Sequence, residues 1–329
     1  MPTEVRPPTL EVRNLQKHFP ARGNWFGRRA SVMRAVDGVS FAIRRGQTLG
    51  LVGESGCGKT TTGRMLVRLE DPTDGELLLD GQDFARARGG ELRGYRRRVQ
   101  MVFQDAMASL DPRMTVGESI AEPLLVQGGE LARGRRARVG HLLHQVGLGS
   151  SIAERLPHQL SGGQRQRVGI ARALALAPDV IVADEPTSAL DVSVRAQVIN
   201  LLRDLQVQLQ LSFLFISHDL STVRYTSDEV AVMYLGRIVE QGPTEALFAD
   251  PRHPYTQALL AAVPTPDPDL EASRQMVAPL GGELPGATAA ATMGCSFSSR
   301  CPFVTDRCRV EAPPLRESGA GRQVACHLA

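Results

Sequence analysis

The stretch Gly53-Glu54-Ser55-Gly56-Cys57-Gly58-Lys59-Thr60 constrains this chain more than any other, because it fills every fixed position of the pattern G-x-x-x-x-G-K-[ST]. Thr48 to Val52 before it reads as a buried strand, and Thr60 to Leu69 after it reads as a helix. Strand, glycine-rich turn and helix form the setting in which such a loop captures an anion. The glycines let the backbone curl until successive N–H groups face phosphate oxygens. The helix N-terminus adds partial positive charge and Lys59 a full one. The Thr60 hydroxyl suits Mg²⁺, and Thr61 continues the first turn. The plain alternative is a glycine-rich turn that binds nothing. Lys59, Thr60 and both flanks argue against it.

The order of elements around the loop points to an α/β chain. Leu10 to Leu15 alternates apolar and polar residues as a half-buried strand does, and Val36 to Ile43 reads as another strand. Gly75 to Gly81 is a short strand bounded by glycines, and Val99 to Phe103 a buried one. Arg86 to Arg98 is rich in arginine, and a solvated helix face explains that better than a nucleic-acid patch. From Asp105 to about Ser161 the β signals stop, and periodic Val139, Leu142, Leu143 and Val146 suggest a helical insertion. A helix is expected from Ser161 to Ala177, stopped by Pro178, with a strand over Val180 to Ala183. Ser193 to Gln210 places Val194, Val198, Leu201, Leu205 and Leu209 on one helix face. Phe213 to Ile216 and Val230 to Tyr234 complete a mainly parallel sheet covered on both faces. Prolines accumulate after Gly242, and Pro264 to Gly294 reads as a linker.

Composition narrows the class further. With 329 residues, 42% hydrophobic and 22% charged, the chain is of ordinary globular make-up, and a net charge of +3 is too weak to argue for nucleic acid. No apolar run approaches the roughly 20 residues of a membrane span, and Met1 to Pro8 has no apolar signal core. The expectation is a protein on the cytoplasmic side of any membrane, where disulfides are the less favoured use of cysteine.

Beyond the loop, four places carry chemistry. Asp184-Glu185 ends an apolar strand, where one carboxylate can hold the Mg²⁺ shell and its neighbour polarise an attacking water. Alone the pair is no more than a common loop start; beside a phosphate loop it gains meaning. Ser161-Gly162-Gly163-Gln164 is a second glycine-rich helix start, an ordinary cap in the bland reading and a second phosphate-binding face in the sharp one. A second such face suggests service to the nucleotide of another subunit. His218 and Gln104 each follow a strand, placed to touch a γ-phosphate and a metal ion or water respectively.

These residues carry a resemblance. GESGCGKT, Phe103-Gln104, LSGGQRQR, VIVADEP, SALD at Ser188 to Asp191 and ISHD at Ile216 to Asp219 together resemble the nucleotide-binding subunit of an ABC transporter, in family order over about residues 10 to 245. The resemblance implies a P-loop NTPase (RecA-like) core with an N-terminal antiparallel β-subdomain and an inserted helical subdomain at about 105–170. It implies an ATPase working as a head-to-tail dimer, with ATP between the P-loop of one subunit and Ser161-Gly162-Gly163 of the other. Carried over by position, Lys59 and Thr60 hold phosphate and Mg²⁺, and Asp184 supports the Mg²⁺. Glu185 is the general base, Gln104 links the site to the membrane partner, and His218 senses the γ-phosphate. Phe19 matches the aromatic that stacks on adenine, with Trp25 and Phe26 as rivals for that place.

The runs Asp105 to Val116, Asp191 to Val198 and Arg252 to Leu260 narrow the resemblance to the dipeptide and oligopeptide importers, whose close relatives include nickel importers. Ala106 stands where that branch would have proline. The branch implies a second ATPase subunit, two membrane permease subunits and an extracytoplasmic peptide-binding protein, with this chain peripheral on the cytoplasmic face of the inner membrane. Import of short peptides is the leading expectation, with nickel or another small solute next. A non-transport ABC protein acting on DNA or ribosomes is a different class, and such proteins usually join two ATPase units or insert long coiled coils. The nucleotide-binding domain is expected over 1–250 and a C-terminal extension over 251–329. In that extension Cys295, Cys301, Cys308 and Cys326 lack the tight pair usual for zinc, and their spacing is compatible with an iron–sulfur cluster. Some importer ATPases resemble this tail and carry a [4Fe–4S] centre; zinc or unligated thiols are the alternatives.

Overall fold

The computed structural model describes residues 8–20, 32–128, 132–263 and 293–329. The strands in chain order are β1 Leu10–Pro20, β2 Val32–Ile43, β3 Thr48–Val52, β4 Asp74–Leu79, β5 Gln82–Asp83, β6 Val99–Val102, β7 Val180–Asp184, β8 Ser212–Ile216, β9 Glu229–Tyr234, β10 Arg237–Pro243, β11 Arg316–Glu317 and β12 Gln323–Val324. They form two sheets. The order β2-β1-β4-β5 makes a four-stranded antiparallel sheet, and β11-β12-β10-β9-β3-β8-β7-β6 an eight-stranded one. Within the larger sheet the run from β9 to β6 is parallel. β3, β7 and β8 are buried at every position, which is why they read as unbroken apolar runs rather than alternating ones. Parallel strands all end on the same side, so the turns after β3, β6, β7 and β8 come together along one rim of the sheet.

Helices cover the sheet and build a separate lobe. Lys59–Leu66 packs against β7 and β8, where Gly63 leaves no room for a side chain beside Ile216 and Val182. The segment between β6 and β7 is helical as expected, with Val116–Gln127, Arg135–Gln145 and Gly162–Leu174 sharing buried Ile120, Leu124, Leu142, Leu143 and Val168. Thr115 and Glu118 close the first of these with a reciprocal cap.

Two helix ends and one buried stripe differ from the expectation, each for a local reason. The helix after the phosphate loop stops at Leu66, because Arg68 takes a left-handed backbone (φ 55°) and buries its guanidinium, which donates to Asp71 Oδ1 at 2.9 Å. The helix from Gly162 ends at Leu174 rather than Ala177, whose φ is 51°. On the helix Val192–Leu209 the fully buried residues are Val198, Ile199, Leu202 and Leu205, with the expected Val194 and Leu201 packed half-buried against the same core. Leu209 is 39% exposed because the helix ends there, with Gln210 left-handed.

The C-terminal extension is built into the core sheet. β12 pairs antiparallel with β10 through Glu240↔Val324 and Gln241↔Gln323, and β11 pairs with β12. Phe297 is 1% exposed and packs on Tyr234, Tyr255 and His253, with ring centroids 5.3, 5.5 and 5.7 Å away. Glu240 is fully buried, and its carboxylate accepts the backbone N–H groups of Arg252 and His253 at 2.8 and 2.9 Å. The expected linker falls mostly on residues 264–292, which lie outside the described residues.

Two stability outcomes follow. Phe297→Ala, which empties the centre of this aromatic cluster, is expected to cost about 3–5 kcal/mol, read from the denaturant midpoint of the full chain. His253 is buried, and its Nδ1 accepts the Tyr255 N–H at 3.0 Å, which requires an unprotonated nitrogen. Burial pushes its pKa down from 6.5 to about 4. The unfolded chain therefore takes up a proton near pH 6.5 that the folded chain refuses until about pH 4. The stabilisation is complete above that upper value and is lost as pH falls through the window, by at most about 3 kcal/mol. A pH series of denaturation curves checks this, and His253→Asn is expected to flatten the profile there.

Candidate active site

The phosphate loop leaves β3 and is held in shape by close packing. At Gly53 (φ 153°) a Cβ would fall on the carbonyl oxygen of Met233, and at Gly58 (φ 111°) on that of Ala35. No side chain caps the helix that begins at Lys59, so its first N–H groups are open to an anion. Lys59 is 5% exposed, and its ammonium donates to the carbonyls of Gly53 and Glu54 at 2.8 and 2.9 Å. Ser55 and Gly56 are exposed at the crest, Cys57 is buried beneath it, and Thr61 lies half-buried in the first turn. Burial raises the Cys57 thiol pKa, against the pull of Lys59.

The rim of the parallel sheet brings the other candidates to the loop. The Thr60 hydroxyl donates to Asp184 Oδ1 at 3.2 Å. Glu185, next along, has a left-handed backbone (φ 44°), a strained state for a residue with a side chain. Its N–H is held by the Ile216 carbonyl at 2.9 Å. One carboxylate oxygen accepts the Gln104 amide N–H at 3.1 Å, and the other stands 3.1 Å from His218 Nδ1. Residues 104, 185 and 218, each at the end of a different strand, therefore meet on one carboxylate. Burial, helped by the charge of Glu185, pushes the Asp184 carboxyl up from its ordinary value, and Thr60 only partly offsets that.

The donors here suit Mg²⁺. Asp184 is 3% exposed and destabilised as an anion, and a divalent cation beside it would reverse that. The Thr60 hydroxyl, the Asp184 carboxylate and the Gln104 amide are hard oxygen donors. Among the described residues no three His, Cys, Asp or Glu side chains stand close enough to hold an ion by themselves.

The second glycine-rich helix start stands apart from this cluster. Ser161 Oγ accepts the Gln164 N–H at 3.3 Å, and the Gln164 side chain accepts the Ser161 N–H at 3.0 Å. Gly163 lies so close to Val194 that a Cβ has no space, and Gly162 packs beside Leu190. Among the described residues none of the hydrogen bonds of this cap reaches the phosphate loop. Phe19 lies half-buried on β1 with the Lys17 ammonium 4.9 Å from its ring centre, while Trp25 and Phe26 lie outside the described residues. Sequence reasoning missed two contacts to the loop. The Tyr255 hydroxyl accepts the Glu54 N–H at 2.9 Å, and Arg300 forks onto the Glu54 carboxylate. At sequence separations of 201 and 246, no local pattern could signal either.

Over 97% of its length the chain is 53% identical to a peptide ABC transporter ATP-binding protein of Sinorhizobium fredii, of which it covers 89%. This chain belongs to the ATP-binding proteins of peptide ABC transporters. The oligopeptide transport ATP-binding protein AppF of Bacillus subtilis is 49% identical, with 97% of each chain covered. The ABC transporter family model matches residues 36–188, and that of the oligopeptide/dipeptide transporter C-terminal region matches 239–308. MJ0796, a bacterial ABC transporter cassette solved as a dimer, superposes with a TM-score of 0.63 at 29% identity, covering 71% of this chain and 98% of that one. The ABC cassette fold is therefore the one described above, and the chain is an ATPase that uses ATP with Mg²⁺.

Gly58→Ala is expected to weaken ATP binding more than about tenfold, since a Cβ at that φ forces the loop away from Ala35. Equilibrium titration with a fluorescent ATP analogue measures it.

Proposed function

We propose that this chain is the ATP-hydrolysing motor of an importer of dipeptides or oligopeptides, with Glu185 as the general base. The observation that carries the reading is the convergence of Gln104 and His218 on the Glu185 carboxylate, beside the Thr60–Asp184 pair that would hold Mg²⁺. Gln104 orients one oxygen of the base and touches the ion, and His218 monitors the γ-phosphate from the other side. The peptide cargo is supported by the names of the relatives and by the C-terminal region they share with this chain.

The working unit is a dimer of cassettes, this chain with a second ATPase subunit or with its own copy. Phosphates bound by residues 53–61 of one subunit would meet Ser161, Gly162, Gly163 and Gln164 of the other, and Phe19 would stack on adenine. The self-contained cap at Ser161 supports this, because its helix end is ordered by its own hydrogen bonds, none of which, among the described residues, reaches the phosphate loop. Two membrane permease subunits complete the assembly, fed by an extracytoplasmic peptide-binding protein. Among the described residues no helix is long and apolar enough to cross a membrane. In such an assembly the chain would sit peripherally on the cytoplasmic face, against the permeases. Its permease contact would be the cleft lined by Leu69, Gln100, Phe103, Ala106, Pro123 and Arg172. Leu69 and Phe103 are 55% and 38% exposed there, and Phe103 leads directly into Gln104.

The proposal extends, on the spacing of Cys295, Cys301, Cys308 and Cys326 alone, to a [4Fe–4S] cluster; among the described residues these side chains do not stand close enough to hold an ion together, so a cluster would have to draw them in. Cys295 and Cys301 each feel the charges of Cys308 and Cys326, and burial together with that repulsion raises both thiols above their ordinary range. A cationic centre would reverse the shift. Cys295, Cys301 and Cys326 accept hydrogen bonds from the N–H groups of Phe297, Phe303 and Leu328, and the Cys308 thiol shares one with the Thr305 hydroxyl at 3.2 Å. When bound, the cluster supplies structural cross-linking, since hydrolysis of ATP transfers no electron.

Glu185→Gln in the assembled complex is expected to lower hydrolysis by about 10²–10⁴-fold while ATP still binds and holds the dimer closed, read by phosphate release and size-exclusion. Near-normal turnover would remove Glu185 from the role. Anaerobically purified chain is expected to carry about four irons and to lose them in Cys301→Ser, by iron and sulfide analysis. Stoichiometric zinc without iron would replace the cluster with a zinc site.

A further inference from the structure

We propose that Arg300, on the C-terminal extension, is a positioning residue of the ATP site that neutralises a carboxylate built into the phosphate loop. Glu54 occupies the second position of that loop, next to Gly53 and three residues before Cys57. Its carboxylate is a like charge to the phosphates that the loop must hold, and its field reaches Cys57 within the loop. Left alone, it would oppose ATP in the place where the backbone N–H groups attract it.

The structure answers that charge from the far end of the chain. Arg300 Nη1 and Nη2 donate to Glu54 Oε2 and Oε1 at 2.9 and 3.2 Å, a two-pronged geometry that lysine cannot copy. The Arg300 side chain is 7% exposed and that of Glu54 21%, so water screens the pair poorly. Arg300 is itself fixed. Its N–H bonds to the Phe297 carbonyl at 3.0 Å, its guanidinium stands 5.9 Å from the ring centre of Tyr234, and Phe297 is locked in the aromatic cluster. The Glu54 backbone is held in parallel, its N–H by Tyr255 and its carbonyl by Lys59. The N–H and the carboxylate of Glu54 are thus both gripped from the last third of the chain, and its charge is cancelled there. The extension does more than brace the fold: it supplies the counter-charge that lets the loop carry a glutamate and still accept polyphosphate.

The inference rests on ATP binding at this loop, which the wild-type chain reports in the same titration. Fluorescent ATP and ADP analogues are titrated into full-length R300Q, E54Q/R300Q and wild type. R300Q, with its stranded carboxylate, is expected to lose about tenfold in affinity for ATP and about threefold for ADP, because the penalty grows with ligand charge. Adding E54Q is expected to recover most of the ATP loss. Unchanged ATP affinity in R300Q would overturn the proposal. So would an equal loss for ATP and ADP that E54Q fails to recover, because that marks a mere structural prop. Should R300Q fail to fold, R300K, which keeps a positive charge beside Glu54 without the fork, carries the test. A loss larger for ATP than for ADP supports the proposal, and an equal loss for both overturns it.

Discussion

The closeness of two backbone carbonyls to the phosphate loop is the constraint on which the rest of the molecule depends. Met233 O presses on Gly53 from β9 and Ala35 O on Gly58 from β2, so the loop keeps its shape only when both sheets are in place. The turn after β9 rivets them together. The Gly236 N–H bonds to the Cys57 carbonyl at 2.8 Å, and the Asp37 N–H on β2 bonds to the Gly236 carbonyl at 2.8 Å. Arg237 then reaches Asp37 Oδ2 at 2.7 Å. Although burial opposes it, Arg237 with His18 and Arg34 holds the Asp37 carboxyl below its ordinary range. The antiparallel sheet is thus part of the scaffold of the loop and not an ornament on it.

Around that fixed loop the parallel strands deliver one functional side chain each. A rigid strand sets where its last residue lies to within a fraction of an ångström, and a short turn sets its direction. Glu185 shows the cost of such placement. It sits in a left-handed backbone while Gln104 and His218 hold its two oxygens, so its carboxylate is oriented before any nucleotide arrives.

Much of this was legible in the sequence because the informative residues sit in short local patterns. The loop, the Asp184-Glu185 pair and the Ser161 cap are each read within a few neighbours, and an apolar run such as Val180 to Ala183 announces a strand buried on both faces. What failed to show depends on partners distant in sequence. The helix end at Leu66 is set by a buried arginine that any composition rule would place outside. The stripe on Val192–Leu209 is wider than expected, because Ile199 and Leu202 join Val198 and Leu205 in the core while Val194 and Leu201 pack against it half-buried and Leu209 stays exposed. Strands β11 and β12 are two residues long, too short for any alternation to register, and only the free edge of β10 makes strands of them.

That edge has a consequence for how the chain could be divided. β10 would otherwise present open backbone donors and acceptors at Glu240 and Gln241, beside a hollow where Phe297 now sits. Such an edge is a template for another molecule, and proteins that leave one bare tend to pair through it and precipitate. The last residues of the chain occupy it instead, as a built-in selvedge. A cassette cut back to its nucleotide-binding portion would lay that edge bare at Glu240 and Gln241, a new place for another chain to pair.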